Sequence, residues 1–217
     1  MAPRVVAESR WPMVVALLVT LVLTLLLPDA MRLGPRFLIP AIEIGLLIAM
    51  VIGDPGKIDR TNRWLRWLSL SLVTVLIAQA LWATGRLVYV LIEGTNPAVN
   101  DAYDLLAVGG IVWATNNIAF AFLYWDLDSG GSAARAHHLP QYPDFAFPQQ
   151  LSPEVAPPDW RPKFVDYLYL GFTNATAFSP TDAMPLAPWA KIAMTIQSIL
   201  SLAILGLVIA RAVNVFS

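Results

Sequence analysis

The chain has 217 residues, 57% of them hydrophobic and 13% charged, with a formal net charge of −1 and a mean hydropathy of +0.61. That balance lies outside the soluble globular range and within that of integral membrane proteins. The absence of cysteine excludes disulfides, thiolate metal sites and cysteine nucleophiles, and the near-neutral charge gives no footprint for nucleic acid. The two histidines, His137 and His138, are adjacent in a polar stretch. They are too few and too divergent for a zinc site, so neither a metal nor a cofactor is expected.

Five apolar runs follow in chain order. Met13–Leu27 is uncharged and reaches about 17 residues with Trp11 and Pro12, the lower limit for a spanning helix. Arg4 and Arg10 before it would also suit a signal peptide, but Pro28-Asp29-Ala30 makes a poor cleavage site, so a retained helix is expected. Phe37–Gly53 carries Pro40 near its start and Glu43 one turn on. Leu65–Ile92 is the longest and holds Arg86 near its end. Leu105–Trp125 has Asn116 and Asn117 near its middle. Ile192–Val213 carries Gln197, Ser198, Ser201 and Gly206.

Between the fourth and fifth runs lies Asp126–Lys163, with seven prolines between Pro140 and Pro162. Proline excludes helix over most of it and a spanning segment entirely. Its aromatics, Tyr142, Phe145, Phe147 and Trp160, predict that part of it lies against the membrane surface or a neighbouring helix. The expected organisation is one integrated domain. It comprises a four-helix transmembrane bundle (1–126), a proline-rich polar loop (127–165) and a C-terminal unit (166–217).

Orientation follows from Lys and Arg placement. Lys57, Arg60, Arg63 and Arg66 flank the second loop, whereas the third has only Glu93, Asp101 and Asp104. The basic loop and the N-terminus are therefore expected in the cytoplasm. Five spans then place the proline-rich loop inside and the C-terminus outside.

The stretch before the last run has a different character. Asp166–Phe178 (DYLYLGFTNATAF) is about a dozen residues long, too short to cross a core of about 30 Å. Ser179-Pro180-Thr181-Asp182 then breaks any helix. A half-length helix, irregular backbone and a full helix form the pattern of a re-entrant hairpin lined by protein or water. A short amphipathic helix lying flat at the interface is the alternative on pattern alone.

The run DAMPLAPWAK, Asp182 to Lys191, resembles the segment after the selectivity filter of tetrameric potassium channels. Its Asp, Pro, aromatic and basic residues stand at the same spacing. Thr173-Asn174-Ala175-Thr176 resembles the threonine-rich end of their pore helix, Asp166 to Leu170 its aromatic start, and Ile192–Val213 the inner helix. The C-terminal third is also similar to uncharacterised five-helix bacterial membrane proteins regarded as distant relatives of that pore module. The gapless match places AFSPT, Ala177 to Thr181, where those channels have TVGYG. Both glycines are missing, so the carbonyl cage that coordinates potassium is not expected.

The resemblance implies a homotetramer in the bacterial cytoplasmic membrane, conducting a monovalent cation. Its pore would be lined by Thr173, Thr176, Ala177, Phe178, Ser179, Pro180, Thr181 and Asp182. Gln197 and Ser201, one turn apart on the last helix, would face the lumen. Charge placement makes this loop enter from the cytoplasm, which leaves an inverted pore or a non-spanning apolar run as alternatives. Glu43 and Arg86 are the intramembrane charges, and a structural ion pair between them is expected. The other readings are a non-conducting membrane scaffold or a small transporter using Glu43 and Arg86. No catalytic motif is present, so no enzyme is expected. The fold class is all-α: about five transmembrane helices plus a short re-entrant helix and loop before the last.

Overall fold

In a computed structural model, which describes residues 7–58, 62–93, 101–137, 142–157, 160–176 and 182–216, every apolar run is an α-helix. They are α1 (Trp11–Leu26), α2 (Leu38–Gly53), α3 (Arg63–Glu93), α4 (Ala102–Leu127) and, last in the chain, α8 (Pro188–Phe216). Between α4 and α8 come the short helices α5 (Ser132–Ala136) and α6 (Pro148–Leu151) and the 13-residue α7 (Phe164–Thr176). Two short antiparallel bridges complete the all-α fold. β1 (Glu8–Ser9) pairs with β2 (Lys57–Ile58), and β3 (Phe145–Ala146) pairs with β4 (Met184–Pro185).

Local chemistry sets the helix ends. Pro12 sits in the first turn of α1, where its missing N–H costs nothing, and Pro28 holds Leu27 in an extended conformation that ends the helix. The Asp101 carboxylate accepts from the Asp104 N–H at 2.7 Å and caps α4.

The long helices alternate in direction, which gives the bundle two ends. At the proximal end the start of α1 meets the end of α2 through Arg10–Asp54, at 3.0 Å. There too the start of α3 meets the end of α4 through Arg66–Asp126, at 3.1 Å. At the distal end the Arg86 Nε donates to the Ala30 carbonyl at 2.9 Å, tying α3 to the turn after α1. α4 is the central helix, packed against α1, α3, α7 and α8, and residues 115–122 are buried on every side. Its Gly109 is small for a reason: a Cβ there would lie 2.7 Å from Val208 of α8.

Much of the outer surface is apolar, as lipid contact requires. Helix α1 buries Met13, Ala16, Leu17, Thr20, Leu21 and Thr24 at helical spacing, yet its opposite face exposes Val15, Leu18, Val22 and Leu26. Helices α3, α4 and α8 are long and apolar enough to cross a membrane, which marks the chain as a membrane protein. α1 and α2 have 16 residues each, a rise of about 24 Å against a core of about 30 Å. Trp11, Trp64 and Trp67, at 72%, 65% and 67% exposure, ring the proximal end in the manner of interfacial aromatics.

The segment after α4 is not merely a polar loop. Phe145 and Phe147 are buried in the larger core beside Tyr124, Phe164 and Tyr167. Arg135 donates to the Trp125 and Asp128 carbonyls at 2.8 and 2.6 Å, placing a cation at the C-terminus of α4.

Candidate functional site

Helix α7 begins at the proximal end. Its Phe164 ring lies 4.7 Å from Phe122 and 5.8 Å from Trp125. The Asp166 carboxylate reaches back to accept from the Lys163 N–H at 2.7 Å. Glu8, from β1, accepts from the Phe164 N–H and from the Trp125 indole N–H, the latter at 2.9 Å. Burial pushes the Glu8 carboxyl above the ordinary carboxylate range, against the two hydrogen bonds and Arg135, which favour its charged form.

One face of α7 is turned inward by the spacing of Phe164, Tyr167, Leu170, Gly171, Asn174 and Ala175. Phe172, near its end, meets Trp113 at 5.8 Å, well along α4. The start of α8 is again proximal, since Trp189 lies 5.6 Å from Phe145, which lies 5.3 Å from Tyr124. Helices α7 and α8 therefore both start at one end of the bundle. The last turn of α7 sits beside Ser201, 13 residues into α8, about 20 Å along its axis.

Gln197 is the hub of that seam. Its amide donates to the Asn117 side chain at 3.2 Å and to the Gly171 carbonyl at 3.0 Å. Its oxygen accepts from Tyr124 at 2.7 Å and from Asn174 at 2.8 Å. Ser198 donates to the Asn174 carbonyl at 3.3 Å, and Ser201 to the Ala175 carbonyl at 2.7 Å, while Ser201 accepts from Trp113. Ser198 and Ser201 thus bond the Asn174 and Ala175 carbonyls in the last turn of α7, groups that a helix end leaves without intrahelical partners, while Gln197 reaches the Gly171 carbonyl one turn earlier. Gly171 permits the approach, because a Cβ there would crowd Asn117 at 3.2 Å.

Gln197 and Ser201 were expected to face a lumen. Instead they are 1% and 2% exposed and bonded within the chain's own α4, α7 and α8. The outer face of α8 carries Ile192, Ile196, Ile199, Leu202 and Ile209. Of the filter-like residues, Thr173 and Thr176 hydrogen-bond back to Tyr169 and Phe172 in their own helix, at 3.0 and 2.9 Å. Asp182 is exposed and lies shortly before β4, towards the proximal end. Ala177, Phe178, Ser179, Pro180 and Thr181 lie outside the described residues.

No family model matches this chain, and no curated protein or solved structure is significantly similar to it.

The expected ion pair between Glu43 and Arg86 does not form. Arg86 is drawn to the distal end, where it bonds the Ala30 carbonyl and its guanidinium lies 5.3 Å from the Tyr89 ring. Glu43 sits on the second turn of α2, fully buried, and neither carboxyl oxygen has a hydrogen-bond partner. A carboxyl group held this way costs stability, so Glu43→Leu is expected to stabilise the protein by about 2 kcal/mol. A higher thermal midpoint in neutral detergent is the expected readout. An unchanged or lower midpoint would mean that Glu43 has a bonding partner in the membrane-embedded protein.

Sequence reasoning missed Tyr124, Asn174 and Asp128 as structural polar residues. Tyr124 stands inside an apolar run, and that isolation was the available signal.

Proposed function

We propose that this chain is a channel-like membrane protein that passes cations through an oligomeric pore lacking the carbonyl filter of potassium channels. The observation that carries the reading is the half-length α7, whose last turn is bonded by α8 through the Asn174 and Ala175 carbonyls, the latter at Ser201, about 20 Å along α8. Backbone ends are tolerated at such depth only when protein or water satisfies them. In this reading α1 and α2 cross the membrane as well, giving five passes, and α7 re-enters from the proximal end. The partially negative C-terminus of α7 then lies within the membrane, where it favours a cation. Asp182 stands at the entrance and raises local cation concentration. Four copies would close the pore, with the apolar outer face of α8 shared between lumen, neighbour and lipid. In this reading the proximal end, with its excess of arginine, faces the cytoplasm.

Purified protein reconstituted in liposomes provides the test. Cation flux is expected, and Asp182→Asn should reduce it about threefold at low ionic strength, less at molar salt. A monomer without flux would overturn the reading. It would favour a non-conducting protein in which α7 is a packing element, consistent with the saturation of Gln197 and Ser201 inside one chain.

A further inference from the structure

A cavity of about 290 Å³ opens at the proximal end, remote from the α7–α8 seam. Its apolar lining is Met50, Ile58, Leu65 and Trp125, and the loop Gly130–Ala134 forms the facing side. Two ion pairs border it, Arg10–Asp54 and Arg66–Asp126, and the Ser69 hydroxyl donates to Asp126. Both carboxylates are thereby matched. Arg63, exposed and in the cavity lining, has no ion pair among the described residues, so the lining keeps one excess positive charge. Arg63 and Arg66 are three positions apart on the first turn of α3 and share a face. The Arg66 side chain is one-third exposed, and its Nη1 donates to the Asp126 carbonyl at 2.7 Å.

The cavity is built around that arginine. Gly131 has φ +98°, and a Cβ there would lie 2.6 Å from the Arg66 Nη1 and 3.0 Å from the Asp126 carbonyl. Its depth is also fixed: Trp11 begins α1 immediately after Arg10, and Trp64 and Trp67 flank Leu65 and Arg66. Those exposed tryptophans belong at the boundary between headgroups and acyl chains. A basic, apolar-walled opening at that level matches one class of molecule. Two guanidiniums on one face suit the oxygens of a phosphodiester, and the apolar wall suits the chain attached to it.

We propose that this cavity binds the headgroup of an anionic phospholipid, with Arg63 and Arg66 on its phosphate. The inference does not depend on conduction by the α7–α8 hairpin.

The test uses the full chain, delipidated in neutral detergent and titrated with phosphatidylglycerol or phosphatidylcholine while thermal unfolding is followed. Native mass spectrometry counts retained lipid. Phosphatidylglycerol is expected to raise the midpoint with one lipid retained per chain. Arg63→Gln, a substitution at an exposed position, should weaken the apparent affinity about tenfold, the effect of one charge-assisted contact. Arg36→Gln, at the distal end, should leave it unchanged. Equal responses to both lipids, or an Arg63→Gln variant that binds like the parent, would overturn the proposal. Protection by inorganic phosphate or glycerol phosphate at the same concentration would also overturn it, by assigning the cavity to a soluble anion.

Discussion

Gln197→Leu is expected to be the most damaging single substitution in α8. The two side chains are similar in size, so the loss is one of hydrogen bonding rather than volume. Four bonds disappear together, to Asn117, Gly171, Tyr124 and Asn174. Their partners lie in a seam with little water to replace them. Hydrogen bonds between membrane helices are individually modest, but removing one side of a buried pair exposes the other to its full desolvation cost. Together these place the loss at about 3–5 kcal/mol. For a chain of this length that corresponds to a drop in unfolding midpoint on the order of 10 °C.

Tyr124→Phe removes one of the four bonds and leaves the Gln197 oxygen bonded to Asn174; about 1 kcal/mol is expected. The two substitutions share a bond, so their effects should not add. A Gln197→Leu protein as stable as the parent would show that the seam is held by apolar packing alone. Under the pore reading, the same variant should also lose cation flux, because α7 would no longer be fixed to α8.

The helices were legible in the sequence because composition alone forces them: backbone in a bilayer has to bond within its own segment. Their rotation was less legible. Helix α8 is apolar on both faces, so no periodicity distinguishes lipid from protein. Gln197 and Ser201 share one face of α8, and the neighbour that takes that face is α7 rather than water. A polar residue in a membrane helix reports a need for a partner without naming it. Glu43 and Arg86 show the same limit. Both stood out as charges, yet Arg86 reached a carbonyl at the distal end while Glu43 stayed within the bundle. Asp128 was least legible, because Asp-Ser-Gly-Gly reads as a solvated turn. Its burial depends on Arg135, Asp144 and Tyr167, brought from three separate places in the chain. Ser129, at φ 55°, takes the left-handed conformation that aims the turn at them.

Asp128→Ala is expected to release the proline-rich segment from the bundle. The Asp128 side chain, 1% exposed as a residue, accepts from the Tyr167 hydroxyl. It also accepts from Ser129 Oγ and the Asp144 N–H, both at 2.9 Å, and more weakly from the Phe145 N–H at 3.4 Å. Alanine would leave these donors without their acceptor, and would remove a carboxylate from the cluster around Tyr167, whose ring lies 5.0 Å from the Arg135 guanidinium. Removing one member of such a buried charged cluster costs about 3–5 kcal/mol. Hydrogen exchange should quicken over β3 and the first turns of α7, and proteolysis should begin between α5 and β3. Asp128→Asn keeps the shape and one acceptor, so it should recover part of the loss. Asp128 holds the first half of α7 through Tyr167, and Gln197 holds the second half through Gly171 and Asn174. If α7 detaches as one unit, the double variant will lose less stability than the two single losses combined. Full additivity would mean that the two halves of α7 are held independently, and that fixing its end to α8 does not require its start to be docked.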